Sequence, residues 1–200
     1  MDGAGKSMQV KRLQQQLTEW GQVPLLLNDP GSTGVGEQLR TLILKSSFVL
    51  EPLVELLLFE AARAQMVREK IRPALAGGQI VLSDRYADAT WAYQGALGID
   101  DRTLMWLNQL ACEDVWPDIT FLLDLPVEQA LERLQGERRD PIEARGRSYF
   151  EKVRARFLRL AATYPQRICV IDASRSPDEV ETQIVEEVRR KLSEKGMVGR

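Results

Sequence analysis

The chain opens Met1-Asp-Gly-Ala-Gly-Lys-Ser7, and Gly-Lys-Ser directly ahead of a helical stretch is the pattern of a phosphate cradle. Such a loop needs small residues so that successive backbone N–H groups can point at phosphate oxygens, a lysine to neutralise charge, and a hydroxyl to hold Mg²⁺. In the spacing Gly-x-x-x-x-Gly-Lys-Ser, Gly5, Lys6 and Ser7 fill the last three places, Gly3 adds a second small residue, and the first glycine would fall immediately before Met1. A helix starting near Lys6 would aim its free amides and dipole at bound phosphates. The competing account is an accidental Gly-Lys-Ser in a flexible N-terminus.

Ser83-Asp84-Arg85-Tyr86 follows a short apolar run and so falls at the carboxyl end of a strand, where open α/β sheets bind ligands. An acid there can orient Mg²⁺ or its waters, and an arginine can fork onto a phosphate. A surface ion pair reads the same two residues equally well. Arg138, Arg139, Arg145 and, just beyond, Arg147 belong to a charged stretch over 135–147 that also holds Gly136, Pro141 and Gly146. Arginines delivered by a closing lid would stabilise the charge that spreads over a transferring phosphoryl group. Taken alone, the cluster is a solvated loop.

The elements that must position these groups are legible in the periodicity. Val10, Leu13 and Leu17 give a helix over 6–20, closed by Gly21. The continuous apolar run 23–27, with Asn28, Asp29, Pro30 and Gly31 behind it, reads as a strand buried on both faces. A short helix near 37–44 and a long one over 51–75 follow, the latter bent or ended by Pro73. Strands are expected at 80–83, 119–125 and 167–172, and helices at about 89–95, 101–113, 126–134 and 149–164. Ser176, three residues before Glu179, has capping-box spacing for a last helix to about 195. Strand and helix alternate, so the fold class is α/β, a parallel sheet covered by helices on both faces in a single domain over 1–200.

Composition removes other chemistries. The 200 residues include no histidine, which excludes Ser-His-Asp and Cys-His nucleophiles and histidine-ligated metals. Lys and Arg number 27 against 29 Asp and Glu, so electrostatic binding to nucleic acid is not expected. Cys112 and Cys169 make no disulfide framework, which points to a reducing, cytoplasmic setting. Apolar runs fall far short of the ~18 residues of a membrane span, and the start is not that of a secretory leader.

Together these residues resemble the bacterial thymidylate kinases, nucleoside monophosphate kinases of the P-loop class. The resemblance runs from Asp2 to about Ile184 and rests on Asp2-Gly-Ala-Gly-Lys-Ser7, Asp29-Pro-Gly31, Phe59-Glu-Ala-Ala-Arg-Ala-Gln65, Ile71-Arg-Pro-Ala-Leu75, Ser83-Asp-Arg-Tyr86, Ala92-Tyr-Gln-Gly95, Pro117-Asp118 and Ile171-Asp-Ala-Ser174. It implies transfer of the ATP γ-phosphate to dTMP with Mg²⁺, on a five-stranded parallel sheet, in a cytosolic homodimer.

By resemblance, Gly3, Gly5, Lys6 and Ser7 bind ATP, with Lys6 on the β- and γ-phosphates. Ser7, with Asp84, holds the Mg²⁺, directly or through water. Asp2 faces the sugar 3′-hydroxyl of dTMP, and Arg85 binds its phosphate. Phe59 stacks on thymine, Arg63 donates to its O4 edge, Thr90 stands where the family reads N3–H, and Tyr93, next to Gln94 in the same site, lies close to the sugar 2′ position. Since Gly3 stands where some relatives place an arginine, Arg138 or Arg139 supplies the transition-state cation. Four positions of Phe59 and Arg63 apart on one helix put both on one face, able to clamp a base; plain core and surface charge is the alternative.

Several residues depart from the family pattern. The first, central strand and first loop glycine are missing from the given chain, and the expectation is a start upstream, with Met1 internal. Asn28 replaces an arginine near the acceptor phosphate, Met8 a second hydroxyl residue, and Pro141 a lid arginine. A P-loop kinase for another nucleotide such as dUMP or dGMP, and a nucleotide-binding module without turnover, remain as rival readings.

Overall fold

The computed structural model describes residues 3–45, 49–134 and 140–197. Helix α1 (Lys6–Glu19) leads to strand β1 (Leu25–Asn28), then α2 (Gly34–Lys45), α3 (Pro52–Met66) and α4 (Arg72–Ala76). Strand β2 (Val81–Asp84) precedes α5 (Ala87–Ala96) and α6 (Asp101–Cys112); β3 (Thr120–Asp124) is followed by α7 (Val127–Arg133). After α8 (Arg147–Thr163) come β4 (Ile168–Asp172) and α9 (Pro177–Glu194). The alternation is that of an α/β fold.

The strands form two parallel pairs. β1 runs beside β2 with Leu25 opposite Val81, and β3 beside β4 with Thr120 opposite Ile168. The parallel α/β fold expected from the sequence is present, with the strands of the described residues in these two pairs rather than in one five-stranded sheet. Between the pairs lies an apolar cavity of ≈ 510 Å³, walled by Val81 and Leu82 on one side, Phe121 and Leu123 on the other, and floored by Leu13, Leu17, Ile184 and Val188. It lies between β2 and β3, the strands that flank it, and its lining is mostly apolar. In a parallel sheet both neighbours of a central strand offer it a ladder of amides and carbonyls, and here no strand of the described residues takes them.

Two further expectations are corrected. β1 is not buried on both faces: Leu27 is buried, whereas Leu26 and Asn28, which alternation puts together on the opposite face, are exposed. Val23 stays outside the ladder, since Pro24 has no N–H and pairing starts where Leu25 N donates to Ile80 O at 2.8 Å. The long helix over 51–75 is broken by a π turn at Val67–Ile71, where Arg72 N reaches back to Val67 O. Pro73 lacks the N–H of a regular turn and its ring crowds the carbonyl four residues earlier, so a one-residue widening just before it relieves both problems.

The capping box at the last helix forms in full: Glu179 N donates to Ser176 Oγ at 3.3 Å, and Ser176 N donates to the Glu179 carboxylate at 3.0 Å. That helix buries Val180, Ile184, Val188 and Leu192 in one stripe, each burial contributing about 1.5–3 kcal/mol. An Ile184→Asp change would undo the stripe at its centre. No helix of the described residues is long and apolar enough to cross a membrane.

Candidate active site

Gly3 and Gly5 both take left-handed backbone angles, φ 76° and 85°. Gly5 is the residue ahead of α1, so the turn between them delivers Lys6 and Ser7 at the helix N-terminus. At Gly3 a side chain has no room: a Cβ would stand 2.5 Å from the carbonyl oxygen of Ala130. The Ser7 hydroxyl lies 3.4 Å from Asp84 Oδ2 at the end of β2, which ties the loop to the strand. The next residue, Arg85, is a non-glycine at φ 71°, a conformation costing roughly 1–2 kcal/mol. Its carbonyl is held by the Ser83 hydroxyl at 2.7 Å, and its guanidinium lies 4.8 Å over the Tyr93 ring. Such strain, kept at the carboxyl end of a strand, is characteristic of functional sites.

Lys6, Ser7, Phe59, Arg63, Asp84, Arg85, Thr90, Tyr93 and Gln94 all line one cavity of ≈ 230 Å³. Residues from four separate stretches of sequence therefore converge. Asp2, Arg138 and Arg139 lie outside the described residues.

Arg63 is neither a surface charge nor free to rotate, while Phe59 is buried in the main hydrophobic core and also lines the cavity. Arg63 is 1% exposed and donates through Nε to Asp29 at 2.6 Å, through Nη1 to Glu60 and Asn108 at 2.8 Å each, and through Nη2 to Thr90 Oγ1 at 2.6 Å. Four of its five N–H groups are thus committed within the protein, leaving one on Nη2 beside Thr90. Burial alone would lower the Arg63 pKa, but the charges of Asp29 and Glu60 outweigh it and raise it further. Glu60 is pushed up, first by burial and then by Asp29, against the pull of Arg63. One oxygen each of Asp29 and Glu60 is buried without a protein donor. Burial also lifts the Cys112 thiol nearby to about 11, which keeps it un-ionised and chemically quiet.

Sequence reasoning missed several groups. Arg40 lines the cavity and donates to Pro30 O at 2.8 Å, which fixes the turn after β1. It stands on α2 four residues from both Gly36 and Leu44, so helical spacing alone could have placed it on the inward face. Asp140, Ile142 and Glu143 also line the cavity, Ile142 being buried in the core. No signal marks Glu55, which is buried and accepts from Gln94 and from Arg145 across about 90 residues of sequence.

Among the described residues no three Asp, Glu or Cys side chains gather as a metal cage. A hydroxyl and one carboxylate, Ser7 and Asp84, are the hard oxygen donors at the loop, and they suit Mg²⁺, which keeps several waters and takes few protein ligands.

The cavity thus brings a helix N-terminus carrying Lys6 and Ser7 together with the Phe59 ring and the Arg63 guanidinium, groups whose chemistry suits a phosphate and a planar base. With its parallel α/β scaffold, the molecule falls in the class of P-loop nucleotide kinases. Comparison with known proteins narrows the class. The sequence model of the thymidylate kinase family matches residues 1–184. The thymidylate kinase of Nitratidesulfovibrio vulgaris is 41% identical over 203 residues, spanning 96% of this chain and 94% of its own. That of Caldanaerobacter subterraneus is 38% identical over 193 residues, with 96% and 93% covered. The crystal structure of thymidylate kinase from Ehrlichia chaffeensis superposes with a TM-score of 0.78 at 31% identity, over 94% of both chains. The chain belongs to the thymidylate kinase family.

Proposed function

We propose that the ≈ 230 Å³ cavity is a two-substrate site in which the γ-phosphate of ATP passes to the phosphate of dTMP, giving ADP and dTDP. The observation that carries this reading is the buried Arg63, held by Asp29, Glu60, Asn108 and Thr90 with one N–H to spare, four residues from Phe59. A phosphate-only enzyme has no use for a guanidinium locked in place in the same cavity as an aromatic ring.

Phosphoryl transfer asks the protein for alignment and for positive charge on the oxygens around the moving phosphorus. Gly3 and Gly5 shape the loop whose amides and Lys6 hold the ATP β- and γ-phosphates. Mg²⁺, held by Ser7 and Asp84 directly or through water, would neutralise phosphate charge there. On the acceptor side, Arg85 and Arg40 bind the dTMP phosphate; Arg40 offsets the loss of an arginine at Asn28. Phe59 stacks on thymine, the spare Arg63 N–H meets O4, and Thr90 and Gln94 complete the base edge. Tyr93, beneath Arg85, fills the space at the sugar 2′ position and so favours deoxyribose. Asp2 serves the 3′-hydroxyl, and Arg138 or Arg139, which directly precede the pocket-lining Asp140, supplies the transition-state cation. The chain acts as one domain, 1–200, with a lid at about 135–147.

The working form is a cytoplasmic homodimer. α3 and α6 pack together through Leu56, Leu104 and Leu107, and leave Leu53, Leu57, Met105, Trp106 and Leu110 exposed on their outer surfaces. So much apolar area on two adjoining helices suits a second copy of the chain. A Trp106→Glu variant should elute as a monomer where the parent elutes as a dimer.

The test of the function is dTMP-dependent ADP formation from Mg²⁺-ATP, with Lys6→Ala as blank. Removing the phosphate-holding lysine should lower kcat at least ~10²-fold with the melting temperature unchanged. Thermal stabilisation by ATP without any ADP formation would instead favour a binding module.

A further inference from the structure

A hydrogen-bonded chain connects the segment after the lid to the floor of the base pocket. Gln94 lines the cavity, is 1% exposed, and donates from Nε2 to Glu55 Oε1 at 2.9 Å. A carboxylate can only accept, so this contact fixes which way round the amide sits: one N–H of Nε2 belongs to Glu55, and the oxygen is turned away from that carboxylate. Glu55 is itself 2% exposed and is gripped from the other side by Arg145, whose Nη1 reaches Oε1 at 3.1 Å and whose Nη2 reaches Oε2. Arg145 lies in the 3₁₀ turn Glu143–Arg145, directly after the pocket-lining Asp140 and Ile142. Its guanidinium also donates to the Tyr149 hydroxyl at 3.1 Å and lies 5.1 Å over that ring. The Tyr149 hydroxyl in turn donates to Tyr93 O at 3.1 Å, one residue from Gln94.

We propose that Glu55 is a positioning residue that sets which face of the Gln94 amide the base meets, and that Arg145 makes this setting depend on the seating of residues 140–146. The inference rests on the cavity being the dTMP site. An amide oxygen turned to the base would accept from the ring N–H alongside Thr90, whose hydroxyl already accepts from Arg63, while the spare Arg63 N–H donates to a ring carbonyl. This acceptor and donor pair matches the N3–H and O4 of thymine or uracil. Cytosine presents a bare N3 and an amino group at those places, the reverse pattern. A buried donor or acceptor left unmatched is strongly disfavoured, so the fixed amide acts against the wrong base as well as for the right one. Because Arg145 and the pocket-lining residues share one short segment, a pocket that lacks them in place also lacks the brace behind Gln94.

The deciding experiment is steady-state kinetics with dTMP and with dCMP for the parent, Glu55→Gln and Arg145→Met, each checked by thermal melting. A glutamine at 55 can donate as well as accept, so the two amides can pair either way round. The expected result for Glu55→Gln is a fall of about tenfold in the ratio of kcat/KM for dTMP over dCMP, with the KM for dTMP raised and that for ATP unchanged. Arg145→Met should move the same ratio in the same direction. A folded Glu55→Gln that keeps the parent ratio, or that loses both substrates equally, overturns the proposal. Should Glu55→Gln not fold, a folded Arg145→Met with an unchanged ratio overturns it instead. A parent enzyme with no turnover of dTMP would sink the reading of the cavity itself, a different failure from an unchanged ratio.

Discussion

Arg63 Nε and Asp29 Oδ2 meet at 2.6 Å with each side chain only 1% exposed, so the end of β1 and the middle of α3 are joined by a fully buried ion pair. The pair fixes one wall of the ≈ 230 Å³ cavity, which both residues line. Its desolvation is offset only because both charges and their further hydrogen-bond partners are present together.

Arg63→Met should therefore destabilise the protein by about 3–5 kcal/mol, because it strands Asp29 and Glu60 in the interior. Asp29→Asn added to it should recover part of that loss. A double-mutant cycle by urea unfolding checks this; strictly additive effects would show that the two side chains do not act as a pair.

Glu60 gives the molecule a pH signature. Its pKa is raised, by burial first and by Asp29 second, so the folded state holds this proton more tightly than the unfolded one does. Its contribution to stability is then complete below the ordinary carboxylate pKa and is lost as pH rises through the folded value. Glu60→Gln removes the dependence while keeping an acceptor for Arg63. The melting temperature of Glu60→Gln relative to the parent should rise between about pH 4 and about pH 7. A difference that stays flat across the range contradicts the assignment.

Arg40→Ala should raise the KM for dTMP roughly 10- to 100-fold, the equivalent of one or two charge-assisted hydrogen bonds, and leave the KM for ATP close to its parent value. Equal effects on both substrates would place Arg40 outside the acceptor subsite.

The cavity between β2 and β3 should bind an apolar dye. With walls of Val81, Leu82, Phe121 and Leu123, the 200-residue chain should enhance anilinonaphthalene sulfonate fluorescence while fully folded. A chain extended upstream of Met1 by a five-residue apolar strand ending in glycine should lose that enhancement and melt at a higher temperature. Dye binding equal in both chains would show that the added strand does not enter the slot.

The local features of this protein are determined by short-range sequence. Ser176 and Glu179 three residues apart form their capping box because both partners belong to one helical turn, and Gly3, Gly5, Lys6 and Ser7 form a loop because the needed backbone angles and amides all lie within five residues. Val10, Leu13 and Leu17 announce α1 through period alone. Resemblance then supplied the cavity residues from Phe59 to Gln94, which the fold does gather around one space. What required the tertiary structure is each property that depends on distant groups meeting. The Arg63 bonds to Asp29, Thr90 and Asn108 and the brace from Arg145 through Glu55 to Gln94 span separations of 27 to 90 residues. The same holds for the sheet. Each strand is visible as an apolar run, but whether its edge finds a partner depends on chain far away, so only the packed molecule reveals, among the described residues, two parallel pairs with an apolar cavity between them.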